Sequence, residues 1–306
     1  MNSVLLVNAI LGGIIFGAVY ALIGASLNVL YGVLRVVNFA HGEFILAGGF
    51  FAYVLLNAFG LNPLLALPFA AAVFFAAGYG LYYLLIPRLA RSDEPETASF
   101  LLMFGVSLMI ISVLTWIFEA DVRPVNFSFD PINFVLYTVE NAYGEGRHGK
   151  VLIPTARLVA LAVNVVIIAA MTWFLYRTLA GKAMRAAIMN REAVQIVGID
   201  IHRLSASAFG LAAALAAVTG VLLTLVVPSI DPNGGADLTL IGFIIIVLGG
   251  LGHPVGALAA GVIFGLVEQV SNVLMPQAAA QMLGFIILIV VVFFKPAGLF
   301  GRQRSR

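Results

Sequence analysis

The sequence predicts an all-α bundle of membrane-spanning helices, on three observations. Of the 306 residues 62% are hydrophobic and only 10% are charged, where a soluble domain carries about 25% charged residues. The mean hydropathy is +1.09. The apolar residues form continuous runs near the roughly 20 residues needed to span a bilayer, without the alternation of a strand barrel. The architecture expected is one transmembrane unit over 1–306, with about eight to ten segments, some of them discontinuous. A net charge of +2 gives no footing for nucleic acid, and the absence of cysteine excludes disulfides, thiolate metal sites and cysteine nucleophiles.

Nine runs are candidate spans: 4–30, 44–59, 64–86, 98–118, 151–176, 205–227, 238–251, 257–274 and 281–294. The first lacks the basic start of a cleaved leader and reads as a retained helix. It carries Gly13 and Gly17 at GxxxG spacing, and 257–274 carries Ala257, Gly261 and Gly265 at the same spacing. In lipid such spacing lets helix backbones approach closely. Ordinary helix packing accounts for both runs; a path-lining or subunit-contacting face is the sharper reading. The run 238–251 is too short to cross alone and leads into GGLGHPVG. Short spans interrupted by Gly and Pro mark discontinuous helices. A second break is RVVNFAHGEF at 35–44, where Asn38, His41 and Glu43 interrupt an apolar region. Laying His41 over His253 also brings Gly49 over Gly261, a match as consistent with chance as with internal duplication.

Orientation follows the basic residues of short loops. Arg88 and Arg91 lie in 87–97; Arg177, Lys182, Arg185, Arg191 and Arg203 lie in 177–204; Lys295, Arg302, Arg304 and Arg306 lie after 294. All three segments, including the C-terminus, are expected in the cytoplasm. The loop 119–150, with five acids against Arg123, Arg147 and Lys150, belongs on the opposite face, as does 228–237.

Catalytic patterns are missing: there is no GxSxG, HExxH or P-loop. No metal site or cofactor is expected, and any ATP hydrolysis falls to another chain. Glu43 and Glu268 are the intramembrane acids on which an ion-coupled carrier would rely.

The segment GKAMRAAIMNREAVQIVGIDIHRL at 181–204 places Arg185, Arg191, Glu192 and Gln195 on one arc of a helical wheel. Ala183, Ala186, Ala187, Ala193, Val194 and Val197 fall on the other. An amphipathic helix over 182–198, stopped by Gly198, is expected. Met184 and Ile188 sit among its polar residues as exposed apolar knobs. They suit either a partner's groove or the membrane surface.

The string EAVQIVG at 192–198 resembles the EAAxxxG cytoplasmic loop of ABC importer permeases, with Val194 in place of the second Ala and no downstream I-x-L-P. YALIGASLNVLYGVLRVVNFAHGEF, the 181–222 region and VLGGLGHPVGALAAGVIFGLVE extend the likeness to the branched-chain amino acid ABC permease family, LivH type. It spans nearly the whole chain, 119–150 excepted. The resemblance implies an importer subunit for leucine, isoleucine, valine or related small amino acids and amides, in a bacterial inner membrane. Its partners would be a second homologous permease, two cytoplasmic ATPases and an extracytoplasmic binding protein. Met184, Arg185, Ile188, Arg191, Glu192, Ala193 and Gly198 would then couple to the ATPases. Asn38, His41, Glu43, Gly252, His253 and Glu268 are the translocation-path candidates. A standalone ion-coupled carrier and a structural membrane protein are the competing classes.

Three readings of 35–44 stay open. Asn38 is an N-cap and Glu43 a first-turn acid suited to the helix dipole. Alternatively, the break lies at membrane depth on the substrate route. In the third, His41 and Glu43 form a proton-coupling pair.

Overall fold

The computed structural model describes residues 3–89, 93–125, 133–139, 149–227 and 229–301. In chain order the elements are α1 (Ser3–Leu34), α2 (His41–Phe59), α3 (Pro63–Leu89), α4 (Pro95–Phe118), β1 (Arg123–Pro124), β2 (Asn133–Val139), β3 (Gly149–Pro154) and α5 (Thr155–Arg177). They continue as α6 (Leu179–Met189), α7 (Arg191–Ile196), α8 (Ile201–Val226), β4 (Ser229–Ile230), α9 (Gly235–Gly249), α10 (Pro254–Leu274) and α11 (Gln277–Phe294). Seven helices are long and apolar enough to cross a membrane; Gly235–Gly249 and Met282–Phe294 are shorter apolar helices. These nine correspond to the nine runs expected from sequence. One boundary is corrected: 151–154 is not helical but completes β3, which pairs antiparallel with β2. Val-Leu-Ile-Pro reads equally well as the start of an apolar helix, and only the pairing partner decides.

The core is built around α8. Within its most apolar stretch 89% of residues are buried, against 17% to 22% for α3, α4 and α5, so α8 is the axis and those three line the rim. Its sequence explains the position. Ala206, Ala208, Ala212, Ala213, Ala216, Ala217 and Gly220 leave little side chain between backbones. A Cβ on Gly48 of α2 would strike the backbone of Ala217, and one on Gly220 would strike the Ile45 carbonyl.

The two small-residue runs noted in the sequence are each other's partners. A Cβ on Gly17 would come within 2.9 Å of the Val262 Cα, and one on Gly261 or Gly265 would strike α1 at Ala21 or Gly17. The α1–α10 seam is therefore helix packing inside one chain. Dispersion between close backbones holds it, since lipid offers no hydrophobic drive to pair helices.

The ends of the bundle differ. At one, α6 folds back against α5, a Cβ on Gly181 striking Leu175. There Arg191 reaches the Val33 carbonyl and Ser205 Oγ, both at 3.4 Å. The segment after α11 turns back on α9, Leu299 N–H donating to the Leu248 carbonyl at 2.7 Å. Arg185, Arg191, Arg203 and Lys295 thus gather at this basic end. At the other end β1 and β4 pair, Arg123 opposite Ile230, which joins the two loops expected on the opposite face.

Replacing Gly261 by Leu forces α1 and α10 apart and should cost about 1–3 kcal/mol. Leu at Gly105, where a Cβ meets nothing within 4 Å, should leave stability unchanged. Thermal unfolding of the two detergent-solubilised variants checks the contrast.

A buried helix break and an exposed basic end

The chain between α1 and α2 folds into the bundle. Leu34 ends α1, and Arg35 follows with φ of +57°, a left-handed conformation normally left to glycine. Asn38, His41 and Glu43 are all buried, at 2%, 0% and 0% exposure. His41 lies against Ser26 of α1, 2.9 Å away. Ser26 is a little over two turns before the end of α1, about 12 Å along its axis. An independent register gives a similar depth. Gly48 packs on Ala217, which puts the start of α2 about 13 Å above the start of α8. The break therefore lies about 12–13 Å inside the ends of α1 and α8, an offset smaller than the roughly 30 Å of a hydrocarbon core.

Such a break leaves backbone groups that water cannot reach, and the side chains nearby meet them. Asn38 is not the N-cap. The cap position is Ala40, and Asn38 Oδ1 accepts the Ala40 N–H at 3.0 Å, an Asx turn that starts two residues earlier. Thr239 of α9 does more. Its hydroxyl accepts the Gly42 N–H at 2.8 Å and donates to the Phe39 carbonyl at 3.2 Å. One side chain thus serves a donor and an acceptor on both sides of the break. Phe39 is held in turn between Phe100 of α4, ring centres 4.4 Å apart, and Phe243 of α9, 5.1 Å apart. Nothing in the sequence singles out Thr239; a lone threonine in an apolar run has no pattern.

The first turn of α9 meets the first turn of α2. A Cβ on Gly42 would strike the Gly235 carbonyl, and one on Gly235 would strike the Glu43 carboxylate. Two helix N-termini therefore converge on Glu43, and each presents the positive end of its dipole there. Ser107 of α4 donates to Glu43 Oε1 at 3.3 Å, and Oε2 has no hydrogen-bond partner among the described residues. Neither of the two ion pairs among the described residues includes Glu43. His41 turns to another helix. The Ser26 hydroxyl lies 2.9 Å from the Ile23 carbonyl. Ser26 Oγ and His41 Nε2 share a hydrogen bond whose donor is set by the imidazole tautomer, and His41 Nδ1 has no partner among the described residues. His41 bonds to α1 and Glu43 to α4, so the two do not form the expected pair.

The other path candidates lie elsewhere. His253 is exposed and caps α10, its Nδ1 accepting the Gly256 N–H at 3.1 Å. Gly252 (φ +75°) packs against Ile188 near Gly32. Glu268 is buried against Tyr20 in the α1–α10 seam. The structure thus brings Asn38, His41 and Glu43 together, and separates them from Gly252, His253 and Glu268.

At the basic end the expected single helix over 182–198 is two. Asn190 has extended dihedrals and its Oδ1 accepts the N–H groups of Glu192 and Ala193, capping α7. Gly198 (φ +83°) ends α7 as expected. Its N–H meets the Gln195 carbonyl and the Ile199 N–H meets that of Val194, a Schellman motif. Met184 and Ile188 are corrected. Met184 is 1% exposed, and Ile188 packs on Gly32 and Gly252. A wheel groups residues by face and does not say which face the bundle takes. The exposed apolar residues are instead Leu179, Met189, Ile196 and Val197, each more than 70% exposed. Arg185 is held by the Leu175 carbonyl at 2.9 Å and over the Tyr176 ring, while Glu192 and Ala193 are open to solvent. Beside them Asp200 caps α8. Its carboxylate accepts the Arg203 and His202 N–H groups, which holds it below its ordinary pKa.

Residues 9–292 match the sequence model of the family described as "Branched-chain amino acid transport system / permease component". The chain is 29% identical over 296 residues to the high-affinity branched-chain amino acid transport system permease protein LivH of Escherichia coli K12, covering 95% of this chain and 94% of LivH. It is 27% identical to the corresponding permease protein BraD of Pseudomonas aeruginosa, covering 96% of this chain and 95% of BraD. A probable LivH of Methanocaldococcus jannaschii is 28% identical, over 95% of this chain and 91% of that one. No solved structure matches the chain.

Thr239→Val removes the hydroxyl and strands both the Gly42 donor and the Phe39 acceptor. The expected loss is about 1–3 kcal/mol, with Thr239→Ser close to wild type. Comparing the melting temperatures of the two variants in detergent checks this.

Proposed function

The chain belongs to the family of branched-chain amino acid transport system permease components, and on that premise we propose that it is the membrane subunit of an ATP-driven importer. Its substrates in this reading are leucine, isoleucine, valine or related small amino acids and amides. The chain itself provides no catalysis. A second homologous permease completes the membrane part, two cytoplasmic ATPases drive it, and an extracytoplasmic binding protein delivers the substrate. The membrane is the inner (plasma) membrane. The basic end faces the cytoplasm by the bias of Lys and Arg, which puts the C-terminus inside. The binding protein docks on 119–150 and 228–237.

The observation that carries this reading is the surface of α6 and α7. Met189, Ile196 and Val197 are exposed at the basic end, beside the solvent-open Glu192 and Ala193. Large apolar side chains rimmed by polar ones mark a docking surface. The two short helices are capped at Asn190 and stopped at Gly198, so they hold a fixed shape for a groove on a partner. In the proposed cycle ATP binding closes the ATPases on this surface, and the bundle alternates its access. The proton-coupling pair that one reading of 35–44 requires is not formed, since His41 and Glu43 bond to different helices. The path role of Asn38, His41 and Glu43 is part of the proposal. It is supported by the buried break and by the two helix N-termini that meet there, a geometry suited to anionic groups.

The test is a mild-detergent purification of the tagged chain from its native membrane, with mass spectrometry of its companions. A P-loop ATPase and a second permease are expected; the chain alone, with gradient-driven flux, would favour the carrier. In the same assay Ile196→Asp and Glu192→Lys should each weaken ATPase retention about tenfold, or about 1.4 kcal/mol, with the fold intact. Gly198→Val, which puts a branched residue at positive φ, should act alike through α7, at about 1–2 kcal/mol. If Glu43→Gln folds and takes up substrate normally, the coupling-acid role fails and the structural reading of 35–44 gains; abolished uptake with normal folding places Glu43 in transport.

A further inference from the structure

Asp237 lies in the first turn of α9 and is exposed. Its neighbours on either side, Gly235 and Thr239, press on Gly42 at the start of α2. Asp237 therefore sits at the depth of the buried break. A carboxylate facing lipid there is costly even on the most lenient scale. Such residues face water or a counter-charge. Asp237 makes no ion pair among the described residues.

What lies beside it is apolar. Asp237, Leu240, Ile241 and Ile244 recur at three- and four-residue spacing, one stripe of α9. With Phe264 of α10 and Phe285 of α11 they line a half-open cavity of about 60 Å³. At roughly 15 Å³ for one water-sized occupant, that is space for about four waters, enough to admit a small aliphatic side chain. No basic residue lines it. A carboxylate at the head of an aliphatic and aromatic groove complements an ammonium carried on a short aliphatic body.

We propose that this groove is a passage subsite for an aliphatic α-amino acid. Asp237 meets the ammonium, Leu240, Ile241, Ile244, Phe264 and Phe285 meet the side chain, and this face of α9 borders a water-filled route. The substrate class rests on the importer reading given above. The watery, cation-favouring character of the groove does not. Glu43 is a separate group, buried behind Gly235.

The chain has no cysteine, so Leu240→Cys introduces its only thiol, one turn from Asp237. In the assembled transporter in membranes, that thiol is treated with a cationic (trimethylammonioethyl) and an anionic (sulfonatoethyl) methanethiosulfonate. Both reagents are expected to react, since thiolate chemistry needs water. Adding Asp237→Asn is expected to lower the cation-to-anion rate ratio several-fold, and Asp237→Glu to preserve it. Millimolar L-leucine with ATP is expected to slow both reactions. No reaction with either reagent, at Leu240→Cys or at Ile241→Cys, overturns the route. A ratio that Asp237→Asn leaves unchanged overturns the role of Asp237. Labelling indifferent to L-leucine overturns the occupant. Failure of the importer reading shows separately, as a chain that purifies without an ATPase whatever its labelling.

Discussion

The bundle depends on how it satisfies a broken backbone away from water. A spanning helix closes its own hydrogen bonds, and an interruption at depth leaves N–H and C=O groups that lipid cannot serve. Here the chain breaks before His41, and the Thr239 hydroxyl takes up one donor and one acceptor across the break. That bond requires the first turn of α9 to lie against the first turn of α2. The requirement accounts for the glycines at the contact. Gly42 and Gly235 permit the approach, and a side chain at either would strike the other helix or Glu43. It also accounts for the length of α9. A helix of 15 residues runs about 22 Å, short of the bilayer, because it begins inside the bundle.

Glu43 is the electrostatic counterpart of this arrangement. Two helix N-termini place partial positive charge at one point, and a buried carboxylate between them offsets it. The single hydrogen bond from Ser107 leaves one oxygen without a partner. His41 Nδ1 likewise has no hydrogen-bond partner among the described residues. Native interiors hold few such atoms, and each calls for an explanation. Two of them, on His41 and Glu43, belong to the first turn of α2. The purely structural reading of 35–44 explains the Asx turn at Asn38 and does not explain these.

Much of this was legible in the residues, and what was not has a physical cause. Continuous apolar runs gave all nine apolar helices, because a span in lipid has no alternative conformation. The shortness of α9 and the stops at Gly198 and GGLGHPVG followed from chain chemistry alone. The β1–β4 pairing joins 119–150 and 228–237 away from the α6–α7 end, as expected, but 235–237 belong to the first turn of α9, which meets the buried break inside the bundle. Facing was not legible. Met184 and Ile188 lie inward because α5, α1 and the α9–α10 link supply the other surface, which periodicity does not contain. The break at Asn190 was hidden for a related reason: asparagine fits a helix surface and caps a helix equally well. The partnership of the two small-residue runs was hidden as well, since GxxxG spacing announces a close approach without naming what approaches.

Ile188 connects the two parts of the molecule. It packs on Gly32, three residues before the left-handed Arg35, and on Gly252, in the link between α9 and α10. A Cβ on these glycines would come within 3.0 and 3.2 Å of its side chain, so there is no slack in the contact. Arg191 adds a hydrogen bond to the Val33 carbonyl, one residue from the end of α1. The α6–α7 pair therefore touches both interruptions of the bundle, at the exit of α1 and at the hinge after α9. Close-packed elements pass displacement on rather than absorb it. In the proposed cycle a push on the exposed Met189 and Ile196 is felt at both links together. The helices that begin or end at those links, α2 and α9, are the ones whose first turns meet at Glu43. Ile188, expected as an exposed knob for a partner's groove or the membrane surface, faces inward and joins this loop to both links.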